Sequence, residues 1–360
     1  MSEEIFLMKG NEAIAHAAIR YGADGYFGYP ITPQSEIMET LMAESPWKTT
    51  GMVVLQAESE TASINMVYGG AGCGKAVMTS SSSPGMSLML EGVSYIAAGE
   101  LPCLLVNVMR GGPGLGTIQP SQADYFQAVK GGGHGDYKLV TLAPNSVQEM
   151  ADFVTLGFDL AFKYRTPVMI LTDGVIGQMM EKVKLSAYKR RRTDDEIREQ
   201  CPWATLGRLP GKEPAIITTL ELDSGKMEAN NLRLQAKYRK IEKELCLHQE
   251  INCEDADYIL TAFGSAARIC QKAMELARAQ GIKVGLIRPV TLWPFPSKEI
   301  DKYASRIKGI LTVEMNAGQM VEDVRLAVNG KVKVEHYGRL GGIVPTPSGV
   351  VDALRNKFDC

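Results

Sequence analysis

"AVMTSSSSPGMSLMLEGVSYIAAGELPCLLVNVMR", Ala76 to Arg110, is the stretch that decides the fold. It opens on the strand-like run "AVMTSSS" and closes on a longer apolar run, "LPCLLVNVMR". Between them, "PGMSLMLEGVSYIAAGE" spaces its apolar residues as a helix does. Pro84 suits the first turn, where its missing amide has no intrahelical partner to lose. Strand, helix, strand of this kind predicts a parallel sheet covered by helices on both faces.

The pattern extends in both directions over residues 5–190. Upstream, "NEAIAHAAIRYG" reads as a helix stopped at Gly22 and "GYFGY" as a short strand, with a further helix from about Ser35 to Met42. "MVVLQA" reads as a buried parallel strand, and "SETASINMVYGGAG" as a helix ended by glycines. Downstream, "LVTLAP", "SVQEMADFVTLGFDLAFKYR" and "PVMILTD" continue the alternation. The composition then becomes charged and turn-rich. Residues 187–252 are read as a connector in which "MEANNLRLQAKYRKIEKELCLHQE" forms one long solvated helix, either wrapping a neighbouring subunit or serving as a mobile link. An α/β pattern resumes in a smaller unit, 253–360, leaving 1–186 as the first domain.

The 360 residues are 45% hydrophobic and 22% charged, with a net charge of −2, so nothing points to a nucleic-acid-binding surface. "MSEEIFLMKG" lacks a basic, apolar leader, and no segment reaches membrane-spanning length, so a cytoplasmic protein without a membrane partner is expected. The seven cysteines are scattered and none is spaced C-x-x-C. That argues for reduced thiols and against an iron–sulfur cluster or structural zinc within the chain; no metal site is expected.

Three stretches approach nucleotide motifs and fail on physical grounds. "GGAGCGKA" (Gly69–Ala76) puts Ala76 where a P-loop needs a hydroxyl, and a helix leads into it where a strand should. "RGGPGLGT" lacks the third glycine of a dinucleotide fingerprint, and Pro113 breaks the helix entry. "LTDG" is similar to the opening of the Mg²⁺-diphosphate motif of thiamine enzymes, but no asparagine follows between Asn145 and Asn230 to complete it.

Chemistry-bearing residues gather where the strands of the first domain end, the edge at which open α/β sheets bind ligands. "YPITP" holds Thr32 between Pro30 and Pro33, which cannot continue the strand or start a helix early. Glu58 and Glu60 follow the next strand, Ser83-Pro84-Gly85 the third, and Arg110 with its glycines the fourth. Singly, each is an ordinary cap, solvated carboxylate or surface arginine; their coincidence at one edge is not.

"YPITP", "ESE" opening a helix, "SSPG", "VMRGGPG", "RPVTLWPFP" and "VEMNAGQM" together resemble the alpha subunit of a 2-oxoacid:ferredoxin oxidoreductase. Within that family "GYPITPQSE", "RGGPGLGTIQPSQADYFQAVKGGGHGDY" and "GQMM" are most similar to the branched-chain (2-oxoisovalerate) type. The resemblance implies a pyrimidine-type thiamine-diphosphate-binding domain plus a smaller domain like the C-terminal domain of transketolase. It implies that Glu60, with Glu58 as second candidate, hydrogen-bonds N1′ of the aminopyrimidine, favouring the imino tautomer that removes the C2 proton. Pro30, Ser83, Pro84 and Gly85 would line the cofactor, and Thr32 and Arg110 would recognise the 2-oxo-carboxylate. It also implies a beta subunit holding the diphosphate and Mg²⁺, a gamma subunit, and a ferredoxin-like delta subunit with [4Fe-4S] clusters. Coenzyme A and ferredoxin complete the reaction, and the chain would be active only with its partners.

Two rivals stand beside this reading: the same chemistry on 2-oxoglutarate or pyruvate, and a non-catalytic binding or regulatory subunit of the same fold. Extra basic groups at the substrate tail would favour 2-oxoglutarate, and the loops offer none beyond Arg110. His134 in "GGGHGDY" is a loop-stabilising residue or a contact to substrate or coenzyme A; Met86, Met89 and Met109 fit core positions better than a pocket.

Overall fold

The computed structural model describes residues 4–360 apart from 209 and 212. The first part of the chain runs β1 (Ile5–Lys9), α1 (Gly10–Tyr21), β2 (Gly25–Gly28), α2 (Ser35–Glu44), α3 (Pro46–Thr49), β3 (Val53–Gln56), α4 (Glu60–Gly72), β4 (Val77–Ser81) and α5 (Ser83–Ala98). It continues through β5 (Cys103–Met109), α6 (Tyr125–Val129), β6 (Val140–Leu142), α7 (Val147–Tyr164), β7 (Pro167–Asp173), α8 (Gly174–Gln178) and β8 (Met180–Lys184). The connecting region holds α9 (Asp194–Gln200) and α10 (Ser224–Glu244). The last part runs β9 (His248–Ile251), β10 (Tyr258–Thr261), α11 (Gly264–Ala279), β11 (Val284–Pro289), β12 (Thr291–Trp293), α12 (Ser297–Ala304), β13 (Gly309–Glu314), α13 (Met320–Val328), β14 (Val334–Gly338) and α14 (Pro347–Phe358).

The expected α/β architecture with two parallel sheets is present. The larger sheet has the order β12-β6-β7-β5-β4-β2-β3 and the smaller β14-β13-β10-β11-β9, while β1 and β8 form a separate antiparallel ribbon. Only β12 and β9 run against their sheets. The central strands β4, β5 and β7 are buried along their whole length, as both-face coverage requires. α5 lays Met86, Met89, Val93 and Ile96 onto the sheet. It also lies close against α4, because a Cβ at Gly92 would stand 2.6 Å from Cγ2 of Ile64.

Three elements differ from the sequence reading. "MVVLQA" is not a buried strand: β3 is the outer strand of its sheet, and Val53 and Leu55 are 50% and 43% exposed. Apolar composition reports that a strand can be covered, not that its own chain covers it. The long helix stops at Glu244, since Leu245 turns inward to a buried position and the Leu247 carbonyl accepts from the amides of Val290 and Thr291. "CLHQE" therefore belongs to the edge of the smaller sheet rather than to α10. Finally, "TLW" crosses to the larger sheet as β12, where Trp293 meets the Tyr238 ring edge-on at 5.7 Å.

Polar contacts fasten the smaller sheet to the larger one. The fully buried Arg288 of β11 reaches both oxygens of Glu149 at 2.5 and 3.0 Å and the Ala143 carbonyl at 3.1 Å. Ser265 donates to buried Asp173 at 2.6 Å. Gln122 accepts from the Met315 amide at 3.1 Å and donates to the Phe263 carbonyl at 2.9 Å.

Candidate active site

The proline loop is anchored from below. Tyr26 of β2 is hydrogen-bonded to Ser80 of β4 at 2.7 Å, and Ser80 donates at 2.6 Å to Gln34, whose amide reaches back to the Tyr29 carbonyl at 3.0 Å. Asn11 of α1 holds the Pro33 carbonyl at 2.8 Å and Glu36 at 2.9 Å. Ser35 then starts α2, two residues beyond the second proline. These buried bonds leave Pro30 and Thr32 exposed on a loop whose base cannot shift freely.

Arg110, 8% exposed at the end of β5, touches this loop. Its Nη1 donates to the Thr32 carbonyl at 2.9 Å and its Nη2 to the Leu115 carbonyl at 3.0 Å, whereas its buried Nε has no partner. The guanidinium thus ties Thr32 to the glycine-rich loop 110–120. It meets the backbone of Thr32, and the hydroxyl takes no part in that contact. On the other side, the Arg110 amide donates to Ser83 Oγ at 3.0 Å, and Ser83 donates to Asp124 at 2.6 Å. Burial raises the Asp124 carboxyl above its usual range, against the opposing bonds from Ser83 and Asn107.

Ser83 opens α5, and two residues on, Gly85 faces Glu60. A Cβ at Gly85 would stand 2.6 Å from Glu60 Oε1 and would also collide with Ser81 Oγ. Only glycine lets the carboxylate lie this close to the first turn of α5. Glu60 is the first residue of α4, capped by Ser59, which accepts from the Ala62 amide at 3.2 Å. The carboxylate thus lies at the first turn of its own helix and against the first turn of α5. Glu60 is 7% exposed, yet no residue among those described gives it a hydrogen bond or an ion pair. The buried hydroxyl of Ser81, which meets the same Gly85 position, is likewise without a partner, as is that of Ser82. Glu58 is different: it is exposed and accepts from Ser59 at 2.8 Å.

Thr32, Arg110, Ser83, Gly85 and Glu60 are therefore linked in sequence through the first turn of α5. Pro84 occupies that turn. Sequence reasoning missed Asp124, Asn107 and Gln34, which hold the named residues in place; "SQAD" and the buried asparagine of "LLVNVM" were the available signals. His134 lies on an exposed loop. "VEMNAGQM" is structural: buried Glu314 accepts from the amides of Met320 at 2.7 Å and Val321 at 3.1 Å, and Asn316 clamps the Gln122 carbonyl at 2.7 Å.

The candidate site is thus a buried carboxylate at the strand ends of a parallel sheet, with a glycine packed against it. Residues 16–244 match the family described as pyruvate flavodoxin/ferredoxin oxidoreductase, thiamine diphosphate-binding, and residues 256–350 match pyruvate:ferredoxin oxidoreductase core domain II. The chain belongs to the 2-oxoacid:ferredoxin oxidoreductases. It is 48% identical over 336 residues, 93% of each chain, to ketoisovalerate oxidoreductase subunit VorB of Methanothermobacter marburgensis. Subunit KorA of 2-oxoglutarate synthase from the same organism is 36% identical over 98% of this chain and 99% of its own. Among solved structures, 2-oxoglutarate:ferredoxin oxidoreductase from Magnetococcus marinus superposes with a TM-score of 0.85 at 28% identity. It covers 99% of this chain, which spans 66% of that one. A split-gene transketolase shares the fold alone, with a TM-score of 0.61 at 12% identity. Among the described residues no helix is long and apolar enough to cross a membrane.

Proposed function

We propose that this chain is the alpha subunit of a complex that oxidises a branched-chain 2-oxo acid, 2-oxoisovalerate, with coenzyme A and ferredoxin, yielding acyl-CoA and CO₂. The observation that carries the reading is Glu60: buried, ionisable and without a protein partner, it fits a ligand that brings its own hydrogen-bonding nitrogen. Thiamine diphosphate, when bound, supplies the electron sink for loss of CO₂. Glu60 would hold a proton at the pyrimidine N1′, with Gly85 leaving room for the carboxylate itself. Ser81 offers an unpaired hydroxyl next to it.

Thr32 and Arg110 would orient the 2-oxo-carboxylate. Both Arg110 terminal nitrogens already fix the loop, so the guanidinium arrives positioned, which limits the ordering needed when substrate binds. Leu115, whose carbonyl Arg110 holds, is 83% exposed, and Ile118 is 58% exposed. These apolar side chains on the loop that Arg110 holds favour a branched aliphatic tail over a second carboxylate. The names of the relatives at 48% and 45% identity, both ketoisovalerate oxidoreductase subunits, support the same substrate.

Diphosphate, Mg²⁺ and [4Fe-4S] clusters are assigned to the beta, gamma and delta partners, because the Mg²⁺-diphosphate motif and clustered cysteines are missing from this sequence. The test is co-purification with the neighbouring subunits and comparison of kcat/KM for 2-oxoisovalerate, pyruvate and 2-oxoglutarate. A preference for 2-oxoglutarate would remove the substrate assignment. Complete absence of CoA-dependent oxidation would return the chain to the class of non-catalytic binding subunits.

A further inference from the structure

Where α10 ends and the chain enters β9, three side chains from separate elements converge. Cys246 lies in the turn, His248 opens β9, and Glu299 stands in the first turn of α12. One donor atom of each lies within 4.8 Å of the others. Cys246 Sγ is 3.6 Å from Glu299 Oε2. Donors around a tetrahedral zinc at about 2.0–2.3 Å stand roughly 3.3–3.8 Å apart, so this edge already has the required length.

The histidine adds an independent observation. Its Nδ1 is buried and has no hydrogen-bond partner, while its Nε2 faces Glu250 Oε1 at 3.3 Å. Glu250 is itself fixed by Lys302 at 2.6 Å and Tyr303 at 2.5 Å. The Glu250 carboxylate beside Nε2 favours the proton on that nitrogen by its charge, and a proton there leaves the lone pair of Nδ1 free, the tautomer that a metal bound at Nδ1 requires. Thiol, imidazole and carboxylate together suit zinc or a similar borderline divalent ion.

We infer that Cys246, His248 through Nδ1, and Glu299 form a zinc-type metal site, with water completing a tetrahedron and Glu250 orienting the histidine. On binding, the thiol proton that Cys246 now directs at Glu299 leaves to solvent, and the thiolate, imidazole and carboxylate occupy three positions on the ion. The metal would fasten the exit of α10 to β9 and α12. Elsewhere this turn is held by the bonds of Leu247 to Val290 and Thr291.

The full chain, freed of metal with a chelator, is titrated with Co²⁺ and followed by absorption. Wild type should show a thiolate-to-cobalt band that saturates stoichiometrically and is displaced by Zn²⁺, with Zn²⁺ raising the melting temperature. Cys246→Ser should lose the band and the thermal shift. Glu250→Gln, which keeps all three ligands, should weaken Co²⁺ affinity by about 10–100-fold. No thiolate band in wild type, or a band unchanged in Cys246→Ser, overturns the site. Unaltered affinity in a folded Glu250→Gln removes the role given to that carboxylate and the Nδ1 assignment with it.

Discussion

Glu60 and Glu314 are two buried glutamates, each beside a helix N-terminus at a strand end, and their surroundings differ in one respect. Glu314 is saturated by its own chain: the amides of Gln319, Met320 and Val321 and the side chain of Asn316 all donate to it. Glu60 receives nothing from the described residues, although a Cβ at Gly85 would meet it at once. Burial alone therefore does not mark a functional carboxylate. Burial combined with missing partners does, because a largely covered carboxylate that its own chain leaves without donors keeps its acceptor positions open to a ligand.

The largest expected effect separates the two by chemistry. In the assembled complex, Glu60→Gln should slow C2 hydrogen–deuterium exchange of bound thiamine diphosphate by about two to four orders of magnitude, the usual contribution of a positioned acid–base group. Cofactor affinity should largely persist, since an amide still reaches N1′. The melting temperature should not fall, because no protein hydrogen bond is lost. Glu58→Gln is the control, and exchange measured by NMR should barely change. Fast exchange in Glu60→Gln combined with collapse in Glu58→Gln would transfer the role to Glu58.

Glu314→Ala is expected to do the reverse. It strands several buried amides at about 1–3 kcal/mol each, so a loss of roughly 3–5 kcal/mol should appear in denaturant unfolding. Complex that remains folded should exchange the C2 proton at the wild-type rate. A stable Glu314→Ala chain would mean that water replaces the carboxylate, and the contrast with Glu60 would weaken.

Most of the alternation around these residues is legible in sequence, because strand and helix periods are local. Pro84 in the first turn of α5 and the Gly22 stop follow from backbone chemistry alone. What is hidden is tertiary: β3 looks buried but lies at an edge, and β12 leaves its neighbours for the other sheet. Glu314 takes its donors from Asn316 and the amides of Gln319, Met320 and Val321, whereas Glu60 has only the close approach of Gly85, and no spacing rule announces either surrounding. The Cys246, His248 and Glu299 cluster is hidden for the same reason, since Glu299 joins it from a different element.

A smaller effect sharpens the Glu60 side. Gly85→Ala should push the Glu60 carboxylate away, since the new methyl would sit 2.6 Å from Oε1. A misplacement on the order of 1 Å costs up to about a hundredfold in rate, so a drop of about 10–100-fold in C2 exchange is expected. Exchange at the wild-type rate would show that Glu60 tolerates displacement and that the glycine serves packing alone.

The smallest effect concerns a third glutamate, in which the partner is a surface cation. Glu196, half-buried in the first turn of α9, is held by the Arg190 guanidinium, with a 2.7 Å bond to Nη1, and by the Thr193 amide at 2.7 Å. The Arg190 bond and then the Thr193 amide pull its carboxyl down from 4.5 to about 2. The unfolded chain consequently takes up this proton first as the pH falls. The stability that Glu196 contributes is complete above about pH 4.5 and disappears as the pH falls towards 2. Glu314 has the opposite sign: burial raises its carboxyl, so protonation favours the folded state, and its contribution disappears as the pH rises through the raised value. Hydrogen exchange of the α9 amides between pH 5 and about pH 2 should show a gradual loss of protection in wild type. Glu196→Gln should remove that slope while leaving the amides around Glu314 unchanged. Superimposable wild-type and Glu196→Gln curves would mean that the Arg190 pair is screened away by solvent, and that among these glutamates only the two buried ones distinguish structure from chemistry.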